Sequence, residues 1–164
     1  MYQEAAELTY QFDSQITNTK VSMGTLDALG MSGDYTLMSF WDASSLSTDS
    51  YPIFGQDAAG MQLFVKQGGG FSLEHGLEGA NTCSATVTPE ASWNHAAVVY
   101  RSASQSSSLY LNGQLQSASC SSFNAPAGQL YYGGGGGALT WLGALQEGKV
   151  YSKAMQATDL PPGL

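Results

Sequence analysis

Charge is what this sequence has least of. Charged residues make up 11% of its 164 positions, less than half of the roughly 25% usual in globular domains. Only five are basic, Lys20, Lys66, Arg101, Lys149 and Lys153, against thirteen acidic ones, for a net charge of −8. Cations so few and so dispersed assemble no phosphate-tracking stripe, which excludes nucleic acid and anionic membranes as partners. Long apolar runs are missing too: nothing approaches the ~18–20 residues of a membrane helix, so no membrane insertion is expected. The opening MYQEAAELTYQFDSQ has neither a basic segment nor an apolar stretch of ~7–15 residues, so no signal peptide is expected in it. Either the chain is attached to a larger secreted polypeptide, or it stays in the cytoplasm until release, as a viral surface protein would. Helical periodicity is nearly absent as well.

Ser, Gly, Thr and Gln fill the space that charge leaves. A chain of this length suits one domain over 1–164, able to bury roughly 70% of its unfolded surface without staples. Short apolar or alternating runs recur every ~8–12 residues between Gly, Ser, Asn and Asp clusters, the pattern of an all-β sandwich. Strands are expected near 8–12, 15–22, 35–42, 51–56, 60–66, 70–76, 82–88, 93–101, 107–112, 114–120, 128–132 and 143–151. The clearest joint is SSSLYLNGQLQSAS, where Asn112-Gly113 supplies the two positive-φ positions of a type I′ turn. The glycines at 68–70 read as a second hairpin turn. The run GGGGG at 133–137 reads as a loop, a plain spacer or a backbone that approaches a ligand. The tail SKAMQATDLPP reads as a single helical turn stopped by Pro161-Pro162.

Cys83 and Cys120 sit in two stretches that read as strand, NTCSATV and QLQSASC, and are expected to meet in a disulfide; the alternative is two separate buried thiols. Trp41, Trp93 and Trp141 are expected to fill the ~10 Å gap between two sheets. His95 shares the strand face of Trp93 two residues earlier and reads as a hydrogen-bonded, partly buried histidine. His75, flanked by Glu74 and Glu78, reads as solvated rather than as a metal ligand.

Taken in order, the chain resembles the laminin G-like branch of the concanavalin A-like lectin/glucanase jelly rolls over nearly its whole length. The resemblance rests on YQFDSQITNTKVSM, LDALGMSGDYTLMSFWDAS, YPIFGQ with GMQLFVKQGGGFSLEH, SWNHAAVVYRSASQSSSLYLNGQLQSAS, and LTWLGALQEGKVYSKAMQATDL. It implies a two-sheet antiparallel jelly-roll sandwich. Glucanases of the superfamily use glutamates spaced Glu-x-Asp-x-x-Glu or Glu-x-Asp-x-Glu, which alternation puts on one strand face. This sequence has no such run, and no Gly-x-Ser-x-Gly elbow, so it is expected not to be an enzyme.

The resembling domains often hold calcium at the rim. Here the loop WDASSLSTDSYPIFGQD offers Asp42, Asp49 and Asp57 as hard oxygen ligands, although the family's Asp after the Trp-x-His strand is replaced by Arg101-Ser102-Ala103. The leading expectation is a noncatalytic extracellular recognition module, binding glycan or an extracellular protein surface through Tyr51, Tyr131 and Tyr132, whose rings suit sugars and protein alike. The alternative is a structural or self-assembling piece of a sheath, filament or virion surface.

Overall fold

The computed structural model describes residues 9–12, 16–17, 20–44, 46, 49–56, 60–77, 82–124, 127–135 and 139–162. At 9–12, 16–17, 49–50, 119 and 139–140 the backbone alone is considered. In chain order the strands are β1 (Thr9–Phe12), β2 (Ile16–Thr17), β3 (Val21–Thr25), β4 (Tyr35–Asp42), β5 (Asp49–Gln56) and β6 (Met61–Gln67). Then come β7 (Phe71–Leu77), β8 (Thr82–Val87), β9 (Trp93–Arg101), β10 (Ser106–Leu111) and β11 (Gln114–Leu115). The last are β12 (Ser119–Cys120), β13 (Gln129–Tyr132), β14 (Gly134–Gly135), β15 (Leu139–Thr140) and β16 (Ala144–Tyr151). Among the described residues the only helical piece is a 3₁₀ turn at Ala157–Asp159, at the place where the proline-stopped tail predicts one.

Two antiparallel sheets stack face to face. The first runs β1-β16-β4-β9-β10-β11, with β2 also on β16, and the second runs β12-β8-β7-β6-β5-β13-β3. This is the all-β sandwich that the alternating runs predict, in the jelly-roll form that the resemblance implies. The inner faces meet in a core to which β4 contributes Tyr35, Leu37 and Trp41, β9 contributes Ala96 and Val98, and the second sheet contributes Ile53, Leu63, Val65 and Leu73. The outer face of the first sheet is covered by the chain's own tail. Leu160 seats on Met38, Ala97, Val99 and Tyr110, with Ala154 and Met155 alongside. The Thr36 hydroxyl fixes that tail by donating to the Lys153 carbonyl at 2.8 Å and accepting from the Met155 N–H at 3.0 Å.

Three local outcomes differ from the sequence reading. The hairpin turn forms as expected, with Asn112 at φ 49° and Gly113 at φ 77°, but the strand expected over 114–120 splits. Its first part, β11, pairs with β10, and its last, β12, pairs with β8 in the other sheet. The chain changes sheets between them, which leaves Leu115 64% exposed. That crossing sets Cys120 directly opposite Cys83, and the two are joined by a disulfide. Within the glycine run, Gly134 and Gly135 are not a free spacer: they form β14, which pairs with β15 and lies over β5. Finally, the strand expected over 15–22 is two pieces, β2 and β3, in different sheets.

No helix among the described residues is long and apolar enough to cross a membrane.

Candidate functional site

The aromatic residues expected at the rim separate by strand alternation, which sends neighbouring side chains to opposite faces. On β13, Tyr132 turns inward, fully buried and tilted against Phe54 with ring centroids 5.0 Å apart. On β5, Tyr51 is opposite the buried Val65 and lies edge-on to Trp141, 5.9 Å between centroids. Both are core residues, so neither presents a ring to a ligand, and the expectation for Tyr51 and Tyr132 is corrected accordingly. Tyr131 remains half-buried on the outer face, its ring capped by the Lys20 ammonium 4.3 Å from the centroid.

Of the three aspartates expected to hold calcium, only Asp42 has a described side chain. Asp42 ends β4, and its carboxylate already accepts from the Ser44 N–H at 2.9 Å and the Ser44 hydroxyl at 2.8 Å, a local turn of the kind Asp commonly makes. Asp49 begins β5, and Asp57 lies outside the described residues, directly after Gln56 at the other end of β5. Seven steps at ~3.3 Å put Asp49 and Gln56 about 23 Å apart. Among the described residues no three His, Cys, Asp or Glu side chains gather in a metal-sized group.

The histidines are more deeply placed than the sequence suggests. His75 is fully buried, not solvated, because β7 turns it inward between Glu74 and Gly76. Its Nε2 lies 3.1 Å from the Tyr35 hydroxyl and its Nδ1 2.7 Å from the Ser107 hydroxyl. Burial lowers its pKa to about 3 and raises that of Tyr35 well above the usual phenol value, so both are neutral. His95 is also buried, edge-on to Phe40, with its pKa lowered to about 4 by burial and by the Lys149 charge. Its Nδ1 has no partner among the described residues, contrary to the expected hydrogen bond. Trp41 and Trp141 are core residues in T-shaped contact, as expected, whereas Trp93 is only half-buried at the start of β9.

Two concave places stand out among the described residues. One is a groove of about 310 Å³ on the outer face of the second sheet, floored by Lys66, Ser72, Glu74 and Thr86 and walled by the glycine turn at 68–70. Ser72 donates to the Glu74 carboxylate at 2.8 Å there. The other is a pocket of about 220 Å³ at the end of the sandwich where β4 begins and β9 ends, between the 26–33 loop, Tyr100, Ser102, Asn124 and Ala127. Neither was legible in the sequence. The groove needs the register Lys66↔Ser72↔Thr86 across three strands, and the pocket joins residues up to a hundred positions apart.

A family model of laminin G-type domains in the concanavalin A-like lectin/glucanases superfamily matches residues 15–160. The chain therefore belongs to that superfamily as a laminin G-like domain. No curated protein matches the sequence significantly. Among solved structures it is similar to the CBM40 of the Ruminococcus gnavus IT-sialidase bound to α2,3-sialyllactose, at 13% identity, TM-score 0.65, over 92% of this chain and 95% of that one. It is also similar to the SAP-like heptameric pentraxin of Limulus polyphemus, at 15% identity, TM-score 0.61, over 94% and 75% of the two chains. Trypanosoma rangeli sialidase matches at 12% identity and TM-score 0.64 over 90% of this chain, which spans only 26% of that enzyme. At these identities the likeness is one of fold.

Proposed function

We propose that this domain is a noncatalytic glycan-recognition module that works outside the cell or on a cell or virion surface, binding through the groove on the outer face of its second sheet. The observation that carries the reading is the end-to-end match to a module bound to sialyllactose, combined with an open polar groove on the one sheet face that the chain's own tail leaves uncovered. Lys66 supplies donors, Glu74 and the Ser72 oxygen acceptors, and Thr86 a hydroxyl that does either, which suits a ligand made of hydroxyl groups. The disulfide supports an oxidising compartment.

A glycan array probed with the intact domain, and with Lys66→Ala and Glu74→Ala, tests this. The expected result is a defined set of hits that weaken in both variants. Absence of hits, or hits indifferent to both substitutions, overturns it.

A further inference from the structure

The end pocket shares no lining residue with the groove, and its chemistry is specific enough to name a ligand class. Its inner wall is apolar: Leu26 and Met31 are 3% and 2% exposed, and Tyr100 lines it with them, its hydroxyl donating to the Phe123 carbonyl at 2.7 Å. Its mouth is polar, and three groups there are unused. The Asp27 carboxylate and the Ser32 hydroxyl make no hydrogen bond or ion pair among the described residues, and Asn124 uses only its Oδ1, accepting from Gln105 Nε2 at 2.8 Å. An ionised acceptor, an amide donor and a hydroxyl thus surround an apolar wall.

The walls are held in advance. Within the 25–31 loop, Leu29 N–H donates to the Thr25 carbonyl at 3.0 Å, and Met31 N–H to the Leu26 carbonyl at 2.8 Å. Leu26 N–H donates to the Gly128 carbonyl at 3.0 Å, tying that loop to the opposite wall. Asp34 fixes the third side by accepting from both the N–H and the hydroxyl of Ser102, each at 2.8 Å. A cavity whose loops are already bonded loses little freedom when it fills.

Size and charge narrow the occupant. Pockets for drug-sized ligands span about 300–1,000 Å³, so a pocket of about 220 Å³ takes one ring. The Asp27 carboxylate lines it, and the Asp34 carboxylate is bonded to Ser102 of its lining, with the Arg101 charge acting on Asp34. We infer that this pocket is a second binding site, for a single neutral pyranose ring. One apolar face of the ring rests on the Leu26, Met31 and Tyr100 wall. Vicinal hydroxyls donate to Asp27, and another accepts from Asn124 Nδ2. An anionic sugar such as N-acetylneuraminic acid is repelled, in contrast to the sialylated ligand of the similar module.

The test is an amide-resolved NMR titration of the whole domain with the methyl glycosides of glucose, galactose, mannose, fucose and N-acetylglucosamine, with N-acetylneuraminic acid as the anionic control. The expected result is saturable shifts at Gly33, Ser102, Ala127 and the Asn124 side-chain amide with at least one neutral glycoside and none with the acid. Asp27→Ala, at an exposed residue without partners, then weakens binding by roughly tenfold or more, the scale of a lost hydrogen bond to a charged group. The inference is overturned if no glycoside shifts these signals, if the acid shifts them equally, or if Asp27→Ala and Ser32→Ala both leave the affinity unchanged. Shifts confined to Lys66, Ser72 and Thr86 would overturn it while sparing the groove, and shifts confined to the pocket would do the reverse.

Discussion

Gly55 and Gly135 meet backbone to backbone: a Cβ placed on Gly55 would stand 2.7 Å from the Gly135 Cα and 2.8 Å from the Gly134 carbonyl oxygen. The obstacle is main chain, so it cannot rotate away as a side-chain tip would. Gly55→Ala is expected to cost about 1–3 kcal/mol, the usual range for overpacking, and to lower Tm by roughly 2–10 °C in a domain of this size. Gly68→Ala, which meets nothing within 4 Å, is the control and should melt close to the native protein. Equal midpoints for the two would mean that β14 does not rest on β5.

Acid should destabilise the fold well above the carboxylate range. His75 and His95 have folded pKa values of about 3 and about 4 against 6.5 when free. Their depressed values mean that the unfolded chain binds protons which the folded one refuses, so stability present above pH 6.5 is lost as pH falls towards 4. Each histidine contributes up to ~1.4 kcal/mol per pH unit in that window. Asp34, whose pKa is lowered by the Ser102 N–H and then by the Ser102 hydroxyl, adds a loss of the same sign below its ordinary value. Melts from pH 7.5 to 4 should show a steady fall in Tm, and His95→Phe should flatten it. A profile unchanged by that substitution would rule out His95 as a contributor.

Reduction should cost a large share of the stability. Closing a loop over a sequence separation of 37 corresponds to about 4 kcal/mol in the chain-entropy account. Cys120 is exposed, so a soluble reductant reaches it directly. Thermal unfolding with and without dithiothreitol, and of Cys83→Ala/Cys120→Ala, is expected to show a drop of roughly 8–16 °C, and coincident curves would refute it.

Because the Asp42 carboxylate is already engaged by the Ser44 N–H and hydroxyl, melts in millimolar calcium and in chelator are expected to coincide. A site saturated a hundredfold over Kd would raise stability by about 2.7 kcal/mol. A rise of that order that disappears in Asp42→Ala would restore calcium to the 42–49 connection.

Alternation carried most of the fold. The strands from 35 to 111 lie within a residue or two of where period-2 patterning and the Asn112-Gly113 turn place them. It gave out where a strand leaves one sheet for the other, at 116–118, because pairing with a different neighbour leaves no mark on local periodicity. The same limit explains Tyr51 and Tyr132: a tyrosine beside a polar loop looks like a rim residue until register assigns its face. It also explains His75, whose neighbours Glu74 and Glu78 suggested water while the strand pointed it inward. Gly134 and Gly135 looked empty because close backbone packing is recorded by missing side chains, and a flexible spacer is recorded in the same way.

Besides the His75–Ser107 contact, two polar contacts made by β4 span the otherwise oily interior. Tyr35 of the first sheet meets His75 of the second at 3.1 Å, and Ser39, four residues along the same strand, shares a hydrogen bond with the Tyr132 hydroxyl at 2.8 Å. Apolar layers tolerate sliding, since one methyl group serves about as well as another, whereas each of these contacts demands one alignment. Two such pins roughly 13 Å apart along a single strand stop both translation and rotation of one sheet over the other. The groove and the end pocket are therefore mounted on a block of fixed dimensions. A receptor that engages both would have to match a spacing that the domain does not adjust.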